Sequence, residues 1–173
     1  TIFKRIEDQA GVKTLPYFGD RSPRQLTTKS TPVRTVADLK GLKIRVPQTR
    51  TLLETFKAWG AAPTPLDYTE LFSGLQQGLV VGQDNGLDVI ESEKFYEVQK
   101  YLILTEHVRS TVGLFMSKKG WDKLTPAQRE VVQKKTTEAG AYFSELVNAY
   151  DESSMKRLQE KGMTVIRPDL AEF

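Results

Sequence analysis

Apolar and polar positions along this chain repeat with two periods, one of two residues and one of about 3.6, and the switches between them predict interleaved strands and helices. Short β-rich runs bounded by glycine, proline or a polar turn predict strands over 12–18, 24–29, 42–46, 62–66, 80–85, 101–105, 108–117 and 163–166. The run Leu42-Lys43-Ile44-Arg45-Val46 stops at Pro47, which has no N–H to give to a ladder. Thr49 then stands where an N-cap is needed. Leu52, Leu53, Phe56 and Trp59 recur on one helical face, and Gly60 suits the position just past the end. A helical turn over Val36–Leu39, a helix over 69–77 stopped by Gly78, and one or two short helices within 88–99 complete the first two thirds.

Thr125-Pro126-Ala127-Gln128 combines a capping-box pattern with proline at the first helical position, and only Gly140 interrupts the pattern before Gly162. The predicted helix has about 36 residues and is on the order of 54 Å long at 1.5 Å per residue. Its apolar positions, among them Val131, Val132, Phe143, Leu146, Val147, Tyr150 and Leu158, do not hold a heptad. A strut crossing two lobes therefore fits better than a coiled coil. Strands alternating with helices predict an α/β architecture.

Composition narrows the function classes. The length allows a buried core in one domain or in part of a two-domain protein, and no apolar run approaches the roughly 20 residues of a membrane-spanning helix. With no cysteine, disulfides, thiolate metal sites and cysteine nucleophiles are excluded. The opening Thr1-Ile2-Phe3-Lys4 has neither an initiator methionine nor a secretory signal, so the chain is expected to start after processing or truncation. A net charge of +3 conceals a basic front, residues 1–60, and an acidic remainder. The front seeks an anion: nucleic acid, an acidic membrane surface or a small molecule.

Catalytic constellations are missing. The single histidine, His107, has no metal-ligand partner at a recognised spacing and is expected to be structural; there is no HExxH, GxSxG or P-loop. The carboxylate pairs Asp84 with Asp88 and Glu91 with Glu93 are expected to be solvated charges on short polar helices. Gly74, Gly78 and Gly82 lack the order of a dinucleotide fold. The basic segment 21–50 has neither interleaved aromatics nor a helix-turn-helix signal, which argues against nucleic acid. What remains is a set of arginines and amides at strand ends. Ligands of open α/β sheets bind outside the carboxyl ends of the strands, and Arg45 lies there. A guanidinium grips a carboxylate through two parallel hydrogen bonds, as a lysine does not. An internal ion pair and a ligand contact both fit Arg45 at this level.

Five segments in order carry a family resemblance: Asp38-Leu39-Lys40-Gly41-Leu42-Lys43-Ile44-Arg45-Val46-Pro47, Gly60-Ala61-Ala62-Pro63-Thr64-Pro65, Leu75-Gln76-Gln77-Gly78, Gly82-Gln83-Asp84-Asn85, and Lys94-Phe95-Tyr96-Glu97-Val98-Gln99-Lys100-Tyr101. Through them the chain resembles the DctP-type substrate-binding subunit of TRAP dicarboxylate transporters, with weaker matches before Gln25 and after Trp121. The resemblance implies a type II periplasmic-binding-protein-like, two-lobed α/β fold, incomplete in this chain, with the long helix spanning both lobes. Residues 1–21 and 111–150 would form a partial first lobe, and 22–110 and 151–173 the second. It implies a periplasmic protein that captures a small organic acid by its carboxylate and delivers it to the membrane subunits of a TRAP transporter, with no cofactor, metal or catalysis. Arg45 would pair with the carboxylate. Arg24, in Arg24-Gln25-Leu26-Thr27, and Asn85 would assist, and Tyr68, in Asp67-Tyr68-Thr69-Glu70, would cover the ligand.

Two departures stand out. Gly86 follows Asn85 where the family usually has proline, and Ser22-Pro23 precedes Arg24 in place of the common Asn-Gly. With the first lobe incomplete, apolar positions between Val112 and Met116 are expected to be exposed. The alternative class is an enzyme or a ligand-sensing effector domain on a related two-lobed fold, because fold alone does not fix function.

Overall fold

The structure, a computed structural model, describes residues 2–173. Helix α1 (Ile2–Ala10) and strands β1 (Val12–Asp20) and β2 (Arg24–Thr28) lead to β3 (Lys43–Val46), α2 (Arg50–Ala58), β4 (Ala62–Pro65) and α3 (Leu71–Gln77). Then follow β5 (Gly82–Asn85), α4 (Leu87–Ser92), β6 (Tyr101–Val108), β7 (Thr111–Ser117), α5 (Lys118–Asp122), α6 (Pro126–Glu160) and β8 (Thr164–Ile166). Two compact units divide the chain, Thr1–Arg21 with Ser110–Ala149 and Ser22–Arg109 with Tyr150–Phe173, and α6 supplies residues to both.

The larger unit is a six-stranded sheet in the order β4-β3-β5-β2-β6-β8. β3 pairs in parallel with β4 and β5, β8 pairs in parallel with β6, and β2 runs antiparallel to both its neighbours. The carboxyl ends of β3, β4, β5, β6 and β8 therefore share one rim, joined by the start of β2. Strand alternation sorts the core onto two faces. Leu102 and Leu104 pack with Leu71, Leu75, Ile90, Phe95 and Leu158, whereas Ile103 between them packs with Leu26, Ile44, Val46 and Phe56 on the other side. Phe56, on the apolar stripe predicted for α2, is completely buried.

In the smaller unit β1 pairs antiparallel with β7, with a bulge between Leu15 and Phe18. Gly140 of α6 is needed here, because a Cβ at that position would lie 3.0 Å from the backbone nitrogen of Phe18. Phe143 meets Tyr17 with ring centroids 6.2 Å apart, and Ser144 Oγ accepts the Asp20 N–H at 2.9 Å. Leu114 and Phe115 of β7 are 42% and 43% exposed.

The predicted strand over 108–117 is in fact broken at Arg109–Ser110. β6 is bonded to β2 and β8 while β7 is bonded to β1, so the chain must leave one sheet before joining the other. The capping box of α6 forms as predicted: Gln128 Oε1 accepts the Thr125 N–H at 2.9 Å, and Thr125 Oγ1 accepts the Gln128 N–H at 3.3 Å. Thr49 occupies the N-cap position of α2 with extended backbone but makes no side-chain cap bond.

Glu91 is not the solvated charge expected of it. Arg157 Nε and Nη2 donate to its two oxygens at 2.6 and 2.8 Å, and the Tyr150 hydroxyl donates at 3.0 Å. The Arg157 hydrogen bonds hold the Glu91 pKa at about 2. An ordinary glutamate titrates near 4.3. A depressed folded-state pKa gives stability that is complete above the unfolded value and is lost as pH falls through the folded one. Glu91→Gln is therefore expected to lower stability at neutral pH and to flatten the fall in stability between roughly pH 5 and pH 2, read as urea midpoints across a pH series.

Candidate functional site

The rim at the strand ends gathers three of the four sequence-predicted residues from β2, β3 and β5, and Tyr68 comes from the turn after β4. Register decides which face each serves. Arg45 is opposite Gln83, Gln83 is opposite Thr27, and Asn85 is opposite Gln25, so these five side chains share a face of the sheet. Leu26 is opposite Asp84, which puts Arg24 and Asp84 on the other face.

Arg45 is 3% exposed, and its Nε donates to the Leu66 carbonyl at 2.8 Å, which orients the guanidinium. Burial pulls its pKa below the ordinary arginine value; nearby Asp84 opposes that and nearby Arg24 adds to it. An arginine keeps its proton regardless. No carboxylate lies within ion-pairing distance of Arg45 among the described residues, and its terminal amino groups have no protein acceptor there. A buried, charged and incompletely bonded fork is costly, and it is relieved by an anion that accepts from it.

Asn85, also buried, heads a row of buried polar groups. Its Nδ2 donates to Gln83 Oε1 at 2.6 Å, Gln83 Nε2 donates to Thr27 Oγ1 at 2.9 Å, and the Thr27 hydroxyl donates to Gln99 Oε1 at 3.1 Å. Tyr68 is 47% exposed; burial of its hydroxyl, helped by a hydrogen bond to Glu93, pushes its pKa up to about 12, so it stays a neutral phenol.

Arg24 reaches the rim with its fork already engaged. Nε is bonded to Asp84 Oδ2 and Nη2 to the Asp84 carbonyl. Asp84, expected to be solvated, is fully buried and also meets His107 Nε2 at 3.3 Å. The Thr105 hydroxyl lies 2.8 Å from His107 Nδ1, so the tautomer with hydrogen on Nε2 satisfies both neighbours. Burial pushes the Asp84 pKa up, but the hydrogen bonds from His107 and Arg24 outweigh it and hold the carboxyl below its usual range. The His107 ring packs edge-on against Phe56 and Trp59, at 5.5 and 5.3 Å between centroids. The structural role expected of His107 is the one it has. The triad of Arg24, Asp84 and His107 was not foreseen. One signal pointed to it: an aspartate inside a strand, after the apolar lead-in Val80-Val81, requires a cationic or donor partner.

A two-lobed α/β fold with a buried arginine at its strand rim defines a class of small-molecule binding proteins, and the comparisons place this chain within it. All residues 1–173 match the family described as bacterial extracellular solute-binding protein, family 7 (DctP), and the chain belongs to that family. The sialic acid-binding periplasmic protein SiaP of Vibrio cholerae is 35% identical over 147 residues, covering 85% of this chain and 46% of SiaP. A TRAP periplasmic solute-binding protein from Roseobacter denitrificans, solved with bound L-galactonate, shares 36% identity at a TM-score of 0.85, over 99% of this chain and 56% of that one. A second protein from that organism, solved with bound 3-deoxy-D-manno-oct-2-ulosonic acid, shares 36% identity at a TM-score of 0.90, over 99% and 57%. The chain spans about half the length of the curated relatives it matches. Family members are periplasmic solute-binding proteins, and these relatives hold organic acids.

Proposed function

We propose that this chain carries the carboxylate-anchoring part of a periplasmic solute-binding protein that captures a small organic acid and hands it to the membrane subunits of a TRAP transporter. The observation that supports this most is Arg45, a buried guanidinium whose terminal amino groups find no acceptor among the described residues, at the carboxyl rim of a sheet. Arg45 takes the ligand carboxylate in a two-pronged grip, Asn85 bonds a polar group of the ligand, and Tyr68 lies over its apolar part. Arg24 adds positive potential at the rim while its fork holds Asp84. The two units are the corresponding portions of two lobes, one from 1–21 and 111–150 and the other from 22–110 and 151–173. The hydroxyl and imidazole that do meet near the rim, Thr105 and His107, are both buried and His107 is held by Asp84, which keeps them from a ligand and supports capture without turnover.

The test is a panel of sialic acid, L-galactonate, 3-deoxy-D-manno-oct-2-ulosonic acid and simple dicarboxylates, presented to the full-length parent protein. One or more acids are expected to raise the melting temperature, since a ligand at a hundred times its Kd stabilises by about 2.7 kcal/mol. The acid is expected to be recovered unchanged after prolonged incubation. Conversion of a bound acid would replace capture with catalysis, and indifference to every acid would remove the carboxylate anchor.

A further inference from the structure

Gln25 stands directly opposite Asn85 in the β2–β5 ladder and shares a sheet face with Arg45. Like Arg45 it is 3% exposed. The pairing of β2 with β6 shifts register between Arg24 and Leu26, and Glu106, with φ 47°, lies in the extra length of β6 that results. Its N–H turns to a side chain, and Gln25 Oε1 accepts it at 3.1 Å. A backbone N–H needs an oxygen, so the Gln25 amide is held in one orientation, with Nε2 left over.

That nitrogen finds no acceptor for its hydrogens among the described residues. It is also open to solvent. The unpartnered side-chain atoms sealed from solvent are Thr14 Oγ1, Asp84 Oδ1 and Asp151 Oδ1 among the described residues, and Gln25 Nε2 is not one of them. Arg45 is built in the same way. Each of the two side chains is buried, is tied by one polar atom to the backbone of a neighbouring segment, and keeps free donors at its tip. Donors held out of bulk water without acceptors cost stability, and a bound molecule that supplies the acceptors offsets that cost.

The strand order β3-β5-β2 puts Arg45 and Gln25 two strand spacings apart, about 10 Å, with Asn85 on the strand between them. We propose that Gln25 is a further specificity-determining residue, whose Nε2 donates to an oxygen on the far half of the bound acid while Arg45 holds the carboxylate. The inference rests on the reading of Arg45 as the anchor and extends it to the other end of the ligand. The acid lies across the sheet, from β3 over Asn85 to β2. A short acid fills only the Arg45 end, whereas a sugar acid reaches Gln25 and supplies the acceptor that its amide lacks. An amide N–H donates to a hydroxyl or a ring oxygen alike, and a ligand with neither at that place leaves the donor unpaired in the complex.

The experiment is calorimetry on the full-length parent protein, wild type and Gln25→Leu, with L-galactonate and with analogues that each lack one of its hydroxyls. The same series is built on 3-deoxy-D-manno-oct-2-ulosonic acid where L-galactonate does not bind. Loss of one hydroxyl of the far half is expected to weaken binding to the wild type about tenfold and to change binding to Gln25→Leu little. Loss of the hydroxyl next to the carboxylate is expected to weaken both proteins equally. A glutamine that only braces Glu106 would lower every affinity by one factor, so a uniform loss across the series overturns the proposal. Should Gln25→Leu fail to fold, the side-chain amide of Gln25 decides, in wild-type protein labelled with 15N-glutamine. Its signal is assigned by its loss in Gln25→Glu, which keeps an acceptor for the Glu106 N–H. The signal is expected to shift on saturation with the intact acid and to stay near its free position with the analogue that lacks the far hydroxyl; a signal that the intact acid leaves in place overturns the proposal. Failure of the anchor reads differently: neither acid then binds the wild type, or Arg45→Ala binds them equally well, and the role of Gln25 falls with it.

Discussion

Arg45→Ala in the full-length parent protein is expected to weaken organic-acid binding by about 2 to 5 kcal/mol, between roughly thirtyfold and a few thousandfold. The size follows from burial. Removing the guanidinium leaves the ligand carboxylate without its anchoring charge, so the expected loss includes the unpaired anion as well as the missing bonds. Arg45→Lys is expected to recover little, because an ammonium cannot reproduce both the donation to Leu66 and a two-pronged grip. The unliganded protein has the opposite interest. A buried charge with one hydrogen bond costs free energy, so Arg45→Met is expected to leave the melting temperature of the empty protein unchanged or raised while abolishing the shift on adding ligand. Calorimetry that finds wild-type affinity in Arg45→Ala would remove the anchor from the mechanism.

Asp84→Ala is expected to cost about 3 to 5 kcal/mol of stability, the range for breaking a buried ion pair from one side. Its carboxylate is the shared acceptor of Arg24 and His107, and without it a largely buried guanidinium loses its counter-charge and a buried imidazole N–H loses its acceptor. Asp84→Asn keeps one acceptor oxygen and is expected to fall between the wild type and Ala. Because the Asp84 pKa lies below its ordinary value, its contribution is present above about pH 4 and fades as pH drops through the folded-state value. Urea unfolding at pH 7 is the direct measurement; an unchanged midpoint in Asp84→Ala would mean that the triad holds nothing together.

Much of the fold was legible because local pattern and global fold agree. The stripe of Leu52 and Phe56, the alternation through Leu102, Ile103 and Leu104, and the capping box at Thr125 each report a contact made by their own element. The place of the break between β6 and β7 was not legible, since the pattern puts it at 106–107. Arg109–Ser110 carries no glycine or proline, and the reason for the break is the change of pairing partner, which is a long-range fact. The site divides in the same way. Arg45 is visible as a guanidinium at a strand end. The engagement of Arg24 with Asp84 depends on register and on the irregular pairing of β2 with β6, where Arg24 faces Val108 and Leu26 faces Ile103. That offset gives β6 extra residues at the rim, among them Glu106 with φ 47°, and brings His107 to Asp84. Sequence shows which groups can pair and is silent on which of them the ladder brings together.

The amide row beneath the rim has a direction. Every donor from Asn85 through Gln83 and Thr27 points the same way, away from Asn85, and Gln99 ends the sequence by donating to the Val98 carbonyl at 2.9 Å. A primary amide cannot reverse alone in such a queue, because its oxygen would then meet an oxygen and its nitrogen a nitrogen. The orientation shown by Asn85 is thus enforced from as far away as Gln99, and in its proposed ligand role the Asn85 oxygen would favour hydroxylated acids that offer a hydrogen over keto acids or ethers that offer none.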